Sequence, residues 1–180
     1  VFFGGKCLKF ASLALCGATL LCRAATAAPE TLPLTPATTK LALTVYGLGF
    51  FPLPGQYARF TGTLDIDRAQ PEFCRVRVTV DQTSLSMADP GLARQALGAD
   101  LLDATHFPTM SYVGTCTGHT IAGALTLHGV THALALVLKR DGGTVDGAGR
   151  LVRHEYGIDG MPHLLGQVIK IRFVTRLPIP

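Results

Sequence analysis

Beyond its first 36 residues the chain alternates apolar and polar positions with a period of two, the signature of half-buried strands. Leu41, Leu43 and Val45 alternate with Ala42, Thr44 and Tyr46. After a Pro/Gly break at Pro52-Leu53-Pro54-Gly55, the segment from Tyr57 to Ile66 puts Phe60, Leu64 and Ile66 on one face. From Arg75 to Asp81 three valines face one way and the charges the other. Met110 and Tyr112 alternate with Ser111 and Val113, and Ile121, Leu125 and Leu127 follow. Then come His132 to Leu138, a polar strand near Arg150, and Ile169, Ile171 and Phe173 against Lys170 and Arg172. The pattern predicts about eight strands, with Val, Thr, Tyr and Phe filling the runs and Gly and Asp the gaps. Residues 28–36, with three prolines, read as an extended lead-in to a domain spanning 37–180.

One stretch breaks the rhythm. Asp89-Pro90 reads as an N-cap with proline at the first helical position, opening a short helix to Leu97 and a further turn through Asp103. It is a helical insert after the third strand. Eight antiparallel strands with one apolar face must hide that face, in a closed barrel or a two-sheet sandwich. The strand Thr131 to Lys139 is apolar on both faces, with His132, Leu134, Leu136 and Leu138 on one and Ala133, Ala135 and Val137 on the other. That suits a barrel wall covered by the insert, or an interface such as that of a homodimer. Gly62, Gly114 and Gly123 favour a hollow barrel, although glycine in a strand also marks bulges. Alternation makes Leu43, Val45, Phe60, Leu64, Val76 and Val78 interior candidates. Met110, Tyr112, Leu125, Leu127, Ile169, Ile171 and Phe173 complete the set, subject to inversion by any one-residue bulge.

The first 27 residues are different. Lys6 and Lys9 precede an apolar stretch from Phe10 to Cys22, and Ala25-Thr26-Ala27 has the A-x-A form of a cleavage site. This is the layout of a secretory signal peptide, and its apolar stretch is too short to cross a ~30 Å hydrocarbon core. Cleavage after Ala27 would leave 153 residues, a net charge of +1, and two of the five cysteines, Cys74 and Cys116. No later segment is long and apolar enough for a membrane-spanning helix. A nearly neutral chain with 16% charged residues carries no electrostatic footprint for nucleic acid.

Candidate chemistry is sparse. His128-Gly-Val-Thr-His132 has helical ligand spacing but lies across a hairpin turn, without a convincing third ligand; solvent-facing turn residues are the better account. Ser84 and Ser86 lack a nucleophile elbow, and no glycine-rich phosphate loop is present. Asp65 and Asp67 share a strand face but read as a polar strand end. Neither a catalytic group nor a cofactor is expected. The cysteines say more. Strands three and four should run antiparallel across the insert, which sets the start of one against the end of the other. Cys74 then shares a face with Val76 and Val78, and Cys116 with Met110 and Tyr112, predicting a Cys74–Cys116 disulfide in an oxidising compartment.

Five segments, in order, resemble the YceI-like family of periplasmic lipid-binding proteins. They are Phe60-Thr-Gly-Thr-Leu-Asp-Ile-Asp67, Val80-Asp-Gln-Thr-Ser-Leu85, Leu101-Leu-Asp-Ala-Thr-His-Phe-Pro108, Leu125-Thr-Leu-His-Gly-Val-Thr131 and Arg153-His-Glu-Tyr-Gly-Ile158. The resemblance covers roughly Leu34 to the C-terminus. It implies an eight-stranded, lipocalin-like antiparallel β-barrel holding a polyisoprenoid or similar long-chain amphiphile, and a periplasmic carrier rather than an enzyme. Two other readings stay open: an isomerase or hydrolase of a lipophilic substrate, with Tyr112 as its only polar inward group, and a filled barrel acting as a scaffold or stress protein.

Overall fold

The computed structural model describes residues 30–67, 70 and 73–177; the predicted signal peptide lies outside them. Eleven strands form one antiparallel sheet in the order β1-β4-β5-β7-β8-β9-β10-β11-β2-β3-β6. They are β1 (Glu30–Leu34), β2 (Thr39–Gly47), β3 (Phe51–Tyr57), β4 (Phe60–Ile66), β5 (Cys74–Asp81) and β6 (Leu85–Met87). The rest are β7 (Thr109–Thr117), β8 (Thr120–Leu127), β9 (Val130–Asp141), β10 (Thr144–Val152) and β11 (Val168–Arg176).

The expected eight and the observed eleven are reconciled by two bends. Only Ala58 and Arg59 separate β3 from β4, and a 3₁₀ turn at Gln82–Ser84 separates β5 from β6. The β3–β6 and β4–β5 ladders are halves of one bent ribbon. Bonds across the corner keep it continuous: Ala58 N–H donates to the Ser84 carbonyl at 3.3 Å, and Asp81 N–H to that of Arg59 at 3.0 Å. Asp81 caps the turn by accepting from Thr83 N–H at 2.9 Å, and Arg59 Nε donates to the same carboxylate at 2.8 Å. The ribbon links β2 to β7 and closes the curled sheet into a barrel of eight staves. The remaining strand, β1, takes the edge of β4 that β2 does not reach, with Leu34 opposite Gly62. Part of the expected lead-in is therefore sheet.

The Pro/Gly break is also strand. Pro52 and Pro54 lie opposite Tyr46 and Thr44 of β2, while β6 pairs only from Gly55 onward. Proline is tolerated there because the far edge of β3 has no ladder to interrupt.

The helix α1 (Pro90–Leu97) starts as the sequence predicts: Asp89 accepts from Gly91 N–H at 2.6 Å and Pro90 fills the first turn. It packs on β6 and does not cover β9, whose outward Ala133, Ala135 and Val137 are exposed. The insert instead plugs one end of the barrel. Leu101, Leu102 and Ala104 are buried there with Leu127, Tyr156 and Ile158. The plug is pinned by Arg153, whose side chain is almost wholly buried. Its guanidinium donates to the carbonyls of Ile158 (2.8 Å), Gly160 (2.6 Å), Gly166 (3.2 Å) and Leu165 (3.3 Å). Burial lowers its pKa, and the charge of Asp159 opposes that shift.

The two-residue β8–β9 turn, His128-Gly129, has φ of 52° and 76°, the left-handed geometry of a tight hairpin. His128 is not simply solvent-facing, however. Its Nδ1–H donates to the Tyr156 carbonyl at 3.1 Å, and its ring packs 4.4 Å from that of Phe107. His132 is exposed against the edge of Tyr156, and among the described residues no metal-holding cluster of His, Cys, Asp or Glu occurs.

Candidate functional site: an apolar lumen

The barrel encloses a cavity of about 300 Å³ at the end opposite the plug. That is the lower end of the ~300–1,000 Å³ range of small-molecule sites. Nine of the thirteen interior candidates line it: Phe60, Leu64, Val76, Val78, Met110, Tyr112, Leu125, Ile171 and Phe173. Leu43, Leu127 and Ile169 point inward too, but line a separate space of about 30 Å³ nearer the plug. Leu41, Met110 and Ile171 border both spaces and form the waist between them. Val45, one further step down β2, lines neither.

Alternation also signalled lining residues that were not singled out. Leu134, Leu136 and Leu138 occupy the inner face of β9, and Val80 continues the valine series of β5. Leu34 and Thr39 were hidden in and beside the proline-rich lead-in, although both reach the cavity.

The glycines do not make the lumen hollow in the expected way; they receive side chains. Gly114 and Gly123 sit opposite each other on β7 and β8. A Cβ on Gly123 would come within 2.6 Å of the Tyr112 hydroxyl, and one on Gly147 would overlap the Phe173 ring. Gly62 likewise faces Val78 and Leu34 at close range. The two rings therefore lie in niches along the wall instead of crossing the space. Tyr112 donates its hydroxyl to the carbonyls of Leu134 (3.0 Å) and Ile121 (3.3 Å), and burial pushes its pKa up to about 12. A neutral phenol already engaged with the wall is a poor acid or base.

Polarity is confined to few positions. Thr39 and Thr175 hydroxyls lie 2.8 Å apart, and Ser111 adds a third. Arg140, beside Gly142 and Gly143 of the β9–β10 hairpin, is the one charged residue of the described lining. The rim is tied by the Cys74–Cys116 disulfide, Cα atoms 4.7 Å apart, as the parity of β5 and β7 predicts. The register places Arg75 opposite Thr115, so the cysteines are the next facing pair. Outside, Asp65 accepts from Thr31 at 2.8 Å and from Arg77 at 2.9 Å, which holds its carboxyl below the usual range.

These elements define a class of fold, an antiparallel barrel with an apolar lumen and a polar rim. The chain belongs to the YceI-like domain family, which matches residues 33–177. It is 31% identical over 130 residues to a UPF0312 protein of Shewanella baltica, covering 68% of each chain. Protein YceI of Shigella flexneri is 31% identical over 97 residues, 51% of each chain. Among solved structures, BcnA of Burkholderia cenocepacia superposes with a TM-score of 0.66 at 20% identity, over 78% of this chain and 97% of that one. A polyisoprenoid-binding domain from Saccharophagus degradans gives 0.60 at 11% identity, over 83% and 99%. These two likenesses confirm the fold.

Proposed function

We propose that this protein is an exported, periplasmic carrier or store that holds a polyisoprenoid or another long-chain amphiphile in the barrel, without catalysing a reaction. The observation that carries the reading is the lumen: about 300 Å³, bounded by aliphatic and aromatic side chains, with hydroxyls and Arg140 as its polar members. Burying each methylene-sized unit of a tail there is worth ~0.8 kcal/mol before ordering costs. The tail points toward the waist at Leu41, Met110 and Ile171, and the head group stays near Arg140 at the rim. The polyisoprenoid-binding neighbour from Saccharophagus degradans supports the ligand class.

Native mass spectrometry of protein purified from an exporting host tests this. A co-purifying lipid mass that disappears on organic extraction is the expected result. A bare chain that takes up no isoprenoid alcohol or isoprenoid phosphate on reconstitution overturns it in favour of a scaffold.

A further inference from the structure

The plugged end of the barrel carries an apolar knob that neither fold nor lumen requires. The β2–β3 hairpin turns through Gly47-Leu48-Gly49-Phe50, closed by Phe50 N–H donating to the Gly47 carbonyl at 3.2 Å. Leu48 has a φ of 49°, a backbone state unfavourable for leucine, and yet its side chain is 57% exposed. Phe50 and Phe51 are 66% and 54% exposed, with ring centroids 4.2 Å apart. Leu164 of the plug, 55% exposed, joins them, since Leu48 N–H donates to its carbonyl at 2.7 Å. Backbone strain spent on presenting greasy side chains to water marks an interaction site.

What lies behind the tip says which partner fits. The register of β2 and β3 sets Tyr46 beside Pro52, and on its other side Gly166 N–H donates to the Tyr46 carbonyl at 2.8 Å. The next row places exposed Lys170 opposite Thr44, with Arg150 opposite Lys170 on β10. Lys170 Nζ donates to the Tyr46 hydroxyl at 2.7 Å and lies 4.7 Å from the centre of its ring. The sequence outward is thus two cations, then an aromatic with a polar tip, then Leu and Phe. Four residues separate Leu48 from the Thr44 row, ~13 Å along the strand and ~10 Å along a tilted barrel axis. That matches the spacing from phosphate groups to the upper acyl chains.

We infer that this knob docks the barrel on the surface of an anionic lipid bilayer, with Leu48, Phe50, Phe51 and Leu164 inserted and Arg150 and Lys170 at the phosphates. A two-fold contact with a second copy would bring the same cations face to face. Because Thr39, Arg140 and Thr175 rim the lumen at the opposite end, the docked barrel opens away from that bilayer. This inference does not depend on what the lumen holds.

The chain has no tryptophan, so single reporters are clean. On vesicles of phosphatidylethanolamine and phosphatidylglycerol, Leu48→Trp fluorescence shifts to the blue and is quenched by brominated lipid, whereas Phe73→Trp at the lumen end shows neither effect. Co-flotation of a Phe50→Ser/Phe51→Ser variant, with unchanged melting temperature, falls tenfold or more. Lys170→Glu weakens binding to these vesicles but not to pure phosphatidylcholine. Equal flotation of wild type and the double-serine variant overturns the inference. So does quenching at Phe73→Trp instead of Leu48→Trp, or a wild-type dimer that the double-serine variant turns into monomer.

Discussion

The two halves of this barrel are written in the same alternating code and fold to opposite ends. Toward Thr39 and Thr175 the inward side chains line open space; toward Tyr57 and Leu127 the insert and the Arg153-pinned loop meet them and leave about 30 Å³. The difference lies in what closes each end, because the staves themselves continue through both. Alternation assigns a side chain to the inside of a barrel. Whether that inside is hollow depends on segments elsewhere in the chain.

The sharpest way to break this division is at Arg153. Replacement by Met leaves buried carbonyls of the plug without a donor, costing about 3 kcal/mol or more. The expected fall in melting temperature is at least about 6 °C. If the division is real, the lower half loosens first, seen as amide exchange at residues 98–108 and 153–167 rising before exchange at Cys74–Val80. Next in size is the rim. A Cys74→Ala/Cys116→Ala double variant should lose ~2–4 kcal/mol of stability in denaturant titration, with little change in lipid retention. Smaller again is Gly147→Val, which drives Phe173 out of its niche into the lumen. Its expected signature is at least tenfold weaker ligand binding at near-normal stability, read by titration with a fluorescent isoprenoid analogue.

The smallest effect belongs to Tyr57, whose buried hydroxyl has no hydrogen-bond partner. Tyr57→Phe should be neutral or stabilising by up to ~1 kcal/mol at neutral pH. Burial raises the pKa of both Tyr57 and Tyr112 above the usual 10.0, so the folded state favours their protonated phenols. That contribution is complete below pH 10.0 and is lost as pH climbs toward about 12. Thermal melts above pH 10.0 should fall more gently for Tyr57→Phe than for wild type.

Side-chain parity was legible in the sequence because it is local. It paired Cys74 with Cys116 across a 42-residue separation and put Val76, Val78 and Tyr112 on the inner wall. Height along the barrel was not legible. Leu125 and Leu127 are two residues apart on one face, yet one lines the main cavity and the other the lower space. The strands β3 and β6 escaped notice for separate reasons: prolines disguise the first, and three residues are too few for a period to show in the second. Arg153 looked like one letter of a family motif. Its role emerges only when four carbonyls of a later loop converge on it.

Pro52 and Pro54 have one last consequence. They supply no amide donor to the stretch of β3 from Phe51 to Pro54, where β6 gives no cover. A strand from another molecule arriving at this seam finds an incomplete template for cross-molecular zippering. Swapping both prolines for threonine would restore the missing donors and turn the barrel toward fibrous association.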